Sequence, residues 1–370
     1  MAEPIRILTA VPICDGHDSA ILTINMEFIR HGIEVIYLGY HRSARDIVRA
    51  AIQEGVRAIG ISSYNGGHLE FFSEVLALLR RADAGHMGVF GGGGGTITKA
   101  DAAIMQRRGV DRIFFPGTPF DEMIRFVKEA YGRRSLRTAL SREDVVRRFA
   151  RKELGIRARA SALVIGVTGP GGVGKTTLID ELVLRFLGSD RRKRIAILSH
   201  DPSVVGKGAL LGDRAAMIYS QDDRVFMHSL ATRGEAGGLS PATGPWLRSL
   251  KRAGFDVVFI ETVGIGQEAM PFSRKLVDCR VLVMSPEYGS RLQLQKVVML
   301  DAAEIVVVNK ADAAGARTAL SELAQRLDLN ARGQNLVATT ANRHRDPGVA
   351  ELFSLLEHLP REKASSPTRK

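Results

Sequence analysis

The chain has 370 residues, 45% of them hydrophobic, which is enough for two α/β domains that each bury a core. No run of about 18 apolar residues occurs, which argues against a membrane span, and Met1–Arg6 lacks the charged-then-apolar layout of a signal peptide. The net charge of +12 raises the question of nucleic acid, but residues 125–159 alone hold 12 Lys/Arg against 4 Asp/Glu. That local excess, with no stacking aromatics or reading helix beside it, reads as a solvated or partner-facing linker helix and not as a nucleic-acid surface. Cys14 and Cys279 fall in different candidate domains, so a disulfide framework is not expected and a reducing cytoplasm fits.

In chain order, Ile5–Ala10, Glu34–Leu38, Ala58–Ser62, Gly88–Phe90 and Asp111–Phe115 read as strands, with helical patterns such as Ala20–His31, Ala44–Glu54 and Leu69–Ala82 between them. This alternation predicts a doubly wound α/β domain with a parallel sheet over residues 1–135. Residues 136–159 form the basic linker, in which Val145, Val146 and Phe149 are set among arginines. A second βα series opens with Ala162–Val167 and continues with Ile195–Ser199, Val257–Glu261, Val281–Met284, Ile305–Asn309 and Asn335–Thr339. It predicts a second, mostly parallel domain over 160–358, followed by a frayed polar tail over 359–370.

The second series carries the more specific chemistry. Gly169-Pro-Gly171-Gly172-Val173-Gly174-Lys175-Thr176-Thr177 lies between a strand and the helix Thr177–Leu187, the setting of a phosphate loop. Its glycines let backbone N–H groups turn toward a β-phosphate, Lys175 suits the β and γ phosphates, and the Thr176 hydroxyl suits Mg²⁺. Asn309-Lys310-Ala311-Asp312 ends a later strand, where the Asp312 carboxylate can accept two hydrogen bonds from guanine; adenine offers no such donor pair, so GTP is expected over ATP. Thr340 and Ala341 would offer backbone N–H groups to the guanine oxygen. Asp201, Asp213 and Glu261 sit at candidate switch positions where carboxylates can hold Mg²⁺ directly or through water. Asp213 also reads as a helix cap and Glu261 as an ordinary strand-end acid. Gly264 could donate its N–H to a γ-phosphate.

In the first series, Asp15-Gly16-His17 follows the first strand, where a histidine can ligate a metal while Asp15 accepts the proton of its other nitrogen; taken alone, His17 more often reads as an ordinary loop histidine. Ser62-Ser-Tyr64-Asn-Gly-Gly-His68 and Phe90-Gly91-Gly92-Gly-Gly-Gly95 follow the third and fourth strands, and their glycines would let backbone approach a bulky ligand.

On Gly166–Thr177, Asp201–Ser203, Ala209–Asp213, Ser229–Gly234, Glu261–Gln267 and Val306–Asp312 the second domain resembles the GTPase chaperones of adenosylcobalamin-dependent acyl-CoA mutases. The resemblance implies Mg²⁺-side acids at Asp201, Asp213 and Glu261, and a second switch containing Gln267. It also implies a third switch at Gln293 and Lys296 that reaches a neighbouring protomer, hence a homo-oligomer through this domain. Two departures are a first switch one residue shorter and Ala216 where the family carries arginine. Asp15, His17, Ser62, Gly91 and Gly92 resemble the flavodoxin-like cobalamin-binding domain of the same mutases, with Ala20 and Tyr64 in place of the family's glycine and leucine. By that resemblance His17 is the lower axial cobalt ligand and displaces the cofactor's own base. The order of domains resembles the fused isobutyryl-CoA mutases, without their acyl-CoA barrel. The expectation is therefore a GTPase and cobalamin-carrying part of a mutase with adenosylcobalamin, GTP/GDP and Mg²⁺ as ligands and a separate large subunit as partner. The alternatives are a cobalamin sensor or carrier, or a fragment of a longer fusion.

Overall fold

The computed structural model describes residues 4–13, 19–132, 143–146, 149, 162–203, 207–235, 237–264, 270–288, 298–330 and 332–359. Among these residues no helix is long and apolar enough to cross a membrane. The chain divides into two compact units, Met1–Val146 with Asp201–Ala215, and Arg147–His200 with Ala216–Lys370.

The first unit is built on β1 (Arg6–Ala10), β2 (Glu34–Tyr37), β3 (Ala58–Ser62), β4 (Gly88–Gly92) and β5 (Arg112–Phe114), with α1 (Ser19–Arg30), α2 (Ala44–Glu54), α3 (His68–Arg81), α4 (Lys99–Arg108) and α5 (Phe120–Gly132) between and after them. The spatial order β5-β4-β3-β1-β2 is wholly parallel, with its switch point between β1 and β3. Ends of elements are written into the sequence. Ser43 with Asp46 and Thr98 with Asp101 form capping boxes at the starts of α2 and α4, and left-handed Gly55 and Gly109 stop the same helices. Ile7, Phe28, Val35, Phe90, Phe114 and Val127 meet in one core layer.

A sixth strand was not expected. β8 (Ala209–Leu211) pairs in parallel with β2 at that edge of the sheet. The segment Asp201–Ala215, which the sequence reading kept with the second domain as its first switch, packs with the first unit. Gly208 makes this approach possible: its N–H donates to Ile29 O at 2.8 Å, and a Cβ there would stand 1.9 Å from Ile33 O.

The second unit contains β6 (Leu163–Thr168), β7 (Ile195–Asp201), β9 (Val225–Ala231), β10 (Val257–Glu261), β11 (Cys279–Met284), β12 (Ile305–Val308) and β13 (Asn335–Ala338). The order is β13-β12-β11-β6-β10-β7-β9, and every pairing from β13 to β7 is parallel. Helix α6 (Lys175–Ser189) follows β6, α7 (Thr243–Arg252) precedes β10, and α8 (Ala316–Asn330) and α9 (Pro347–Glu357) flank β13. Fully buried Leu178, Leu182 and Phe186 of α6 meet Ile165, Ile197 and Phe259 of the central strands. Cys279 is a free buried thiol, pushed up to about 12 by burial, and so unreactive.

The linker differs from a solvated helix. Its described part, 143–146 and Phe149, is tied down: Val145 and Val146 are buried, and the Phe149 ring stacks on Phe255 at 11° and 6.2 Å. The apolar residues set among its arginines are core contacts.

Candidate functional sites

The phosphate loop joins β6, at the centre of the second sheet, to α6. Gly169, Gly172 and Gly174 take φ of +146°, +75° and +90°, values that side chains rarely adopt, and a Cβ on Gly169 would stand 2.0 Å from Val283 O. Lys175 is 6% exposed, and its ammonium donates to Gly169 O and Pro170 O at 3.1 and 3.0 Å. The loop thus curls around the lysine that would neutralise a phosphate chain, at the N-terminus of a 15-residue helix.

The Thr176 hydroxyl donates to Glu261 Oε1 at 2.7 Å, across from the end of β10. Two hard oxygens side by side suit Mg²⁺, which retains water and substrate oxygens for its remaining positions. Among the described residues no group of three or more His, Cys, Asp or Glu is gathered for a metal. Asp201 ends β7 and is buried, and half-buried Asp213 opens a single helical turn, Asp213–Ala216. Both belong to the first compact unit. Gly264 presses on the phosphate loop, because a Cβ there would lie 2.5 Å from Gly171 Cα.

Asn309 is the hinge of this site. Its amide nitrogen donates to Val173 O at 2.8 Å, and its oxygen accepts from the Thr339 hydroxyl and the Ala341 N–H, both at 3.0 Å. The phosphate loop and the loops after β12 and β13 are therefore joined by one side chain. Lys310 turns through φ +58°, Ala311 N–H donates to Thr339 O, and Asp312 is left half-exposed beside Arg343 at 3.7 Å. Buried Thr340 and Ala341 complete this wall.

Sequence reasoning missed His200. It is buried in β7, with Nδ1 donating to Glu261 O and Nε2 facing the Thr243 hydroxyl, each at 2.7 Å. Nδ1 carries the proton because a carbonyl can only accept, and burial pushes the ring down to about 4, so it is neutral. It links the backbone of Glu261 to the start of α7. Its only sequence signal is adjacency to Asp201.

In the first unit, Ser62 ends β3 beside Gly92 of β4. Gly91 and Gly92 lie in the strand itself and not in the loop after it. Side chains there would strike Ile61 O at 2.4 Å and Phe114 O at 2.7 Å, so these two glycines serve the sheet's own packing. The loops beyond differ. Gly66, Gly67 and Gly95 have nothing within 4 Å of a Cβ position, which leaves room for a bulky ligand at the strand ends. The Tyr64 ring lies on Gly94, with Cε2 1.8 Å from where a Cβ would be. Asp15, Gly16, His17, Gln267, Gln293 and Lys296 lie outside the described residues.

A family model described as methylmalonyl-CoA mutase-associated GTPase MeaB matches residues 146–363, and a B12-binding domain model matches residues 5–124. The fused isobutyryl-CoA mutase of Cupriavidus metallidurans is 37% identical, over 95% of this chain and 35% of its own length. That of Geobacillus kaustophilus is 36% identical, over 98% and 37%. That of Nocardia farcinica is 37% identical, over 97% and 36%. The chain thus spans little more than a third of the length of these three fused relatives. Cobalamin is the ligand class of its first domain and GTP/GDP that of its second. The chain belongs to the MeaB family of mutase-associated GTPases, with a B12-binding domain fused ahead of the GTPase domain.

Proposed function

We propose that this chain is the cobalamin-carrying, GTP-hydrolysing part of an adenosylcobalamin-dependent acyl-CoA mutase of the isobutyryl-CoA mutase type. GTP binding and hydrolysis govern the loading or removal of the cofactor, and an acyl-CoA-binding barrel outside this sequence supplies the substrate pocket. The observation that carries the reading is the Asn309 clasp. It joins the candidate phosphate loop to the candidate base-reading loop, 136 residues apart, on a chain that also matches a B12-binding domain, and so supports the reading of the two motifs as one nucleotide site.

In this reading Lys175 and the amides of Gly171, Gly172, Val173, Gly174, Thr176 and Thr177 hold the phosphates. Thr176 and Glu261 hold Mg²⁺, with Asp201 and Asp213 as the switch acids. Asp312 reads the guanine edge, while Lys310, Thr340 and Ala341 shape its pocket. Gln267, Gln293 and Lys296 serve hydrolysis, the last two from a neighbouring protomer in an oligomer formed through this domain. His17, oriented by Asp15 beside Gly16, ligates cobalt, and Ser62, Tyr64, Gly91 and Gly92 flank the slot for the cofactor's tail. When bound, adenosylcobalamin supplies the radical chemistry; the protein's share is ligation and positioning.

Two measurements test this. Mixing the chain with adenosylcobalamin should give a base-off, histidine-ligated spectrum that His17→Ala abolishes; an unchanged spectrum in the variant overturns the axial assignment. Asp312→Asn should weaken GTP about 10-fold or more by removing a charge-assisted contact to the base. Equal GTP affinity would remove Asp312 from base recognition.

A further inference from the structure

Two buried side chains of the second unit, His200 and Thr243, bridge two backbone carbonyls. They are 2% and 3% exposed. His200 Nδ1 lies 2.7 Å from Glu261 O, and Nε2 lies 2.7 Å from the Thr243 hydroxyl. That hydroxyl lies 2.6 Å from Ser240 O. One end of the bridge is thus the backbone of the acid that closes β10, and the other is the loop 232–242 just before it enters α7. A second tie runs alongside, from Val263 N–H to Gly238 O at 3.3 Å. The loop is irregular. Its described residues hold neither helix nor strand, and Arg233, Gly234, Gly237 and Gly238 take φ of +54°, +80°, +86° and +70°.

The bridge has fewer protons than acceptors. The neutral ring carries one N–H, the hydroxyl carries one O–H, and both carbonyls can only accept. The protons can be placed in two ways. In the first, Nδ1–H donates to Glu261 O and the Thr243 hydroxyl donates to Nε2, which leaves the Ser240 carbonyl to the Thr243 N–H at 3.0 Å. In the second, Nε2–H donates to the Thr243 hydroxyl, and the hydroxyl donates to Ser240 O. Nδ1 is then a bare acceptor, and the Glu261 carbonyl must turn away from it. Each arrangement makes two hydrogen bonds and holds the same number of protons. The position of the Glu261 carbonyl therefore decides between them.

We propose that His200 and Thr243 relay the state of the second switch to the loop 232–242 by exchange of the imidazole tautomer; this rests on the reading of Glu261 as an acid of the nucleotide site. In the GTP-bound state the end of β10 is held at the nucleotide, and the Glu261 carbonyl turns from Nδ1. Nδ1 gives up its proton as Nε2 gains one, so the ring stays neutral and no proton is taken up overall. Thr243 then turns its hydroxyl to Ser240 and fastens the loop. After hydrolysis the carbonyl returns, Nδ1–H recaptures it, and the loop is released. His200 and Thr243 are positioning residues, because they act on the loop through hydrogen bonds to its backbone.

The test compares the full chain with GDP and with a nonhydrolysable GTP analogue, each with Mg²⁺. Nitrogen NMR with isotopically labelled histidine reads the tautomer, and His200→Gln identifies the His200 signal by its loss. His200 should carry its proton on Nδ1 with GDP and on Nε2 with the analogue. Amides of 232–242 should exchange about fivefold more slowly with the analogue, the weight of one hydrogen bond. Thr243→Val, which is isosteric, cannot donate to Nε2 or to Ser240 O. It should abolish the loop's response while changing affinity for the analogue by less than about threefold. Thr243→Ser keeps the hydroxyl and should keep the response. The same tautomer with both nucleotides, or a loop response that survives Thr243→Val, overturns the proposal and leaves the GTP reading standing. A parent chain that binds neither nucleotide overturns the GTP reading, and this inference with it.

Discussion

Asn309 has its whole amide committed inside the protein: nitrogen to Val173, oxygen to Thr339 and Ala341. Asn309→Asp retains the acceptor, but the second oxygen then faces the Val173 carbonyl, and a donor contact becomes a repulsion in a buried place. The expected cost is about 2–4 kcal/mol of stability in the second unit together with at least a tenfold loss of GTP affinity. It is measured by urea unfolding followed through Trp246, the chain's sole tryptophan, which is buried in α7 and stacked on His228. Unchanged stability would mean that the clasp carries no load. The tetrapeptide was legible in the sequence as a unit, but which of its members faces inward was not. Orientation follows from the left-handed turn at Lys310 and from Gly174, where a Cβ would meet Asn309 Nδ2 at 2.4 Å.

Elements were readable where pattern and chemistry agreed. The βα rhythm marked five of the six strands of the first unit's sheet and six of the seven in the second, because β-branched runs alternate there with amphipathic helices. β9 escaped because its run, Val-Phe-Met-His-Ser-Leu-Ala, is buried on both faces and carries His228 and Ser229 among apolar residues, so neither alternation nor β-branching marks it. Helix α6 holds a feature that no pattern reveals. Asp180 accepts from the N–H groups of Ile218 and Tyr219 at 3.0 and 2.9 Å, fixing the turn that follows the first switch. Burial pushes this carboxyl up from 3.8 to about 6, against the pull of those two donors. A raised carboxyl means that the folded state holds a proton the unfolded state has already lost. Its contribution is therefore full below pH 3.8 and lost as pH rises through about 6. The stability of the parent relative to Asp180→Asn should fall by up to about 3 kcal/mol between pH 4 and pH 7. The difference between the two proteins isolates this group, since other titrations are common to both; a pH-independent difference would show that the carboxyl is solvated.

At the scale of the molecule, the notable fact is where Asp201–Ala215, the segment proposed as the first switch, is held. The sequence pointed to Ala216 as a missing arginine, and Ala216 is exposed. Arg214 is the buried one. It is 2% exposed and donates to Glu54 Oε1 at 3.1 Å and to Gln53 Oε1 at 2.7 Å, both on the last turn of α2. Glu54 also meets Arg6 at 3.5 Å, and Arg6 meets Glu34 at 3.1 Å, so two cations and two anions balance under the β2–β8 edge. Arg42 adds a hydrogen bond to Ala215 O at 3.0 Å. No periodicity announces such a network, because its members come from four separate elements and each reads alone as a surface charge. Removing one member leaves the other charges unbalanced in a largely buried place. Arg214→Met should therefore destabilise the first unit by about 3 kcal/mol or more, and adding Glu54→Gln should recover most of that loss. Hydrogen exchange locates the effect: amides of Glu34–Tyr37 and Ala209–Leu211 should lose protection in Arg214→Met, while those of Ile305–Val308 in the second sheet keep theirs. If β2 and β8 stay protected, the strand pairing and not the ion network holds the switch segment in this sheet, and nucleotide-dependent movement of that segment would have to break backbone hydrogen bonds before it moved Arg214.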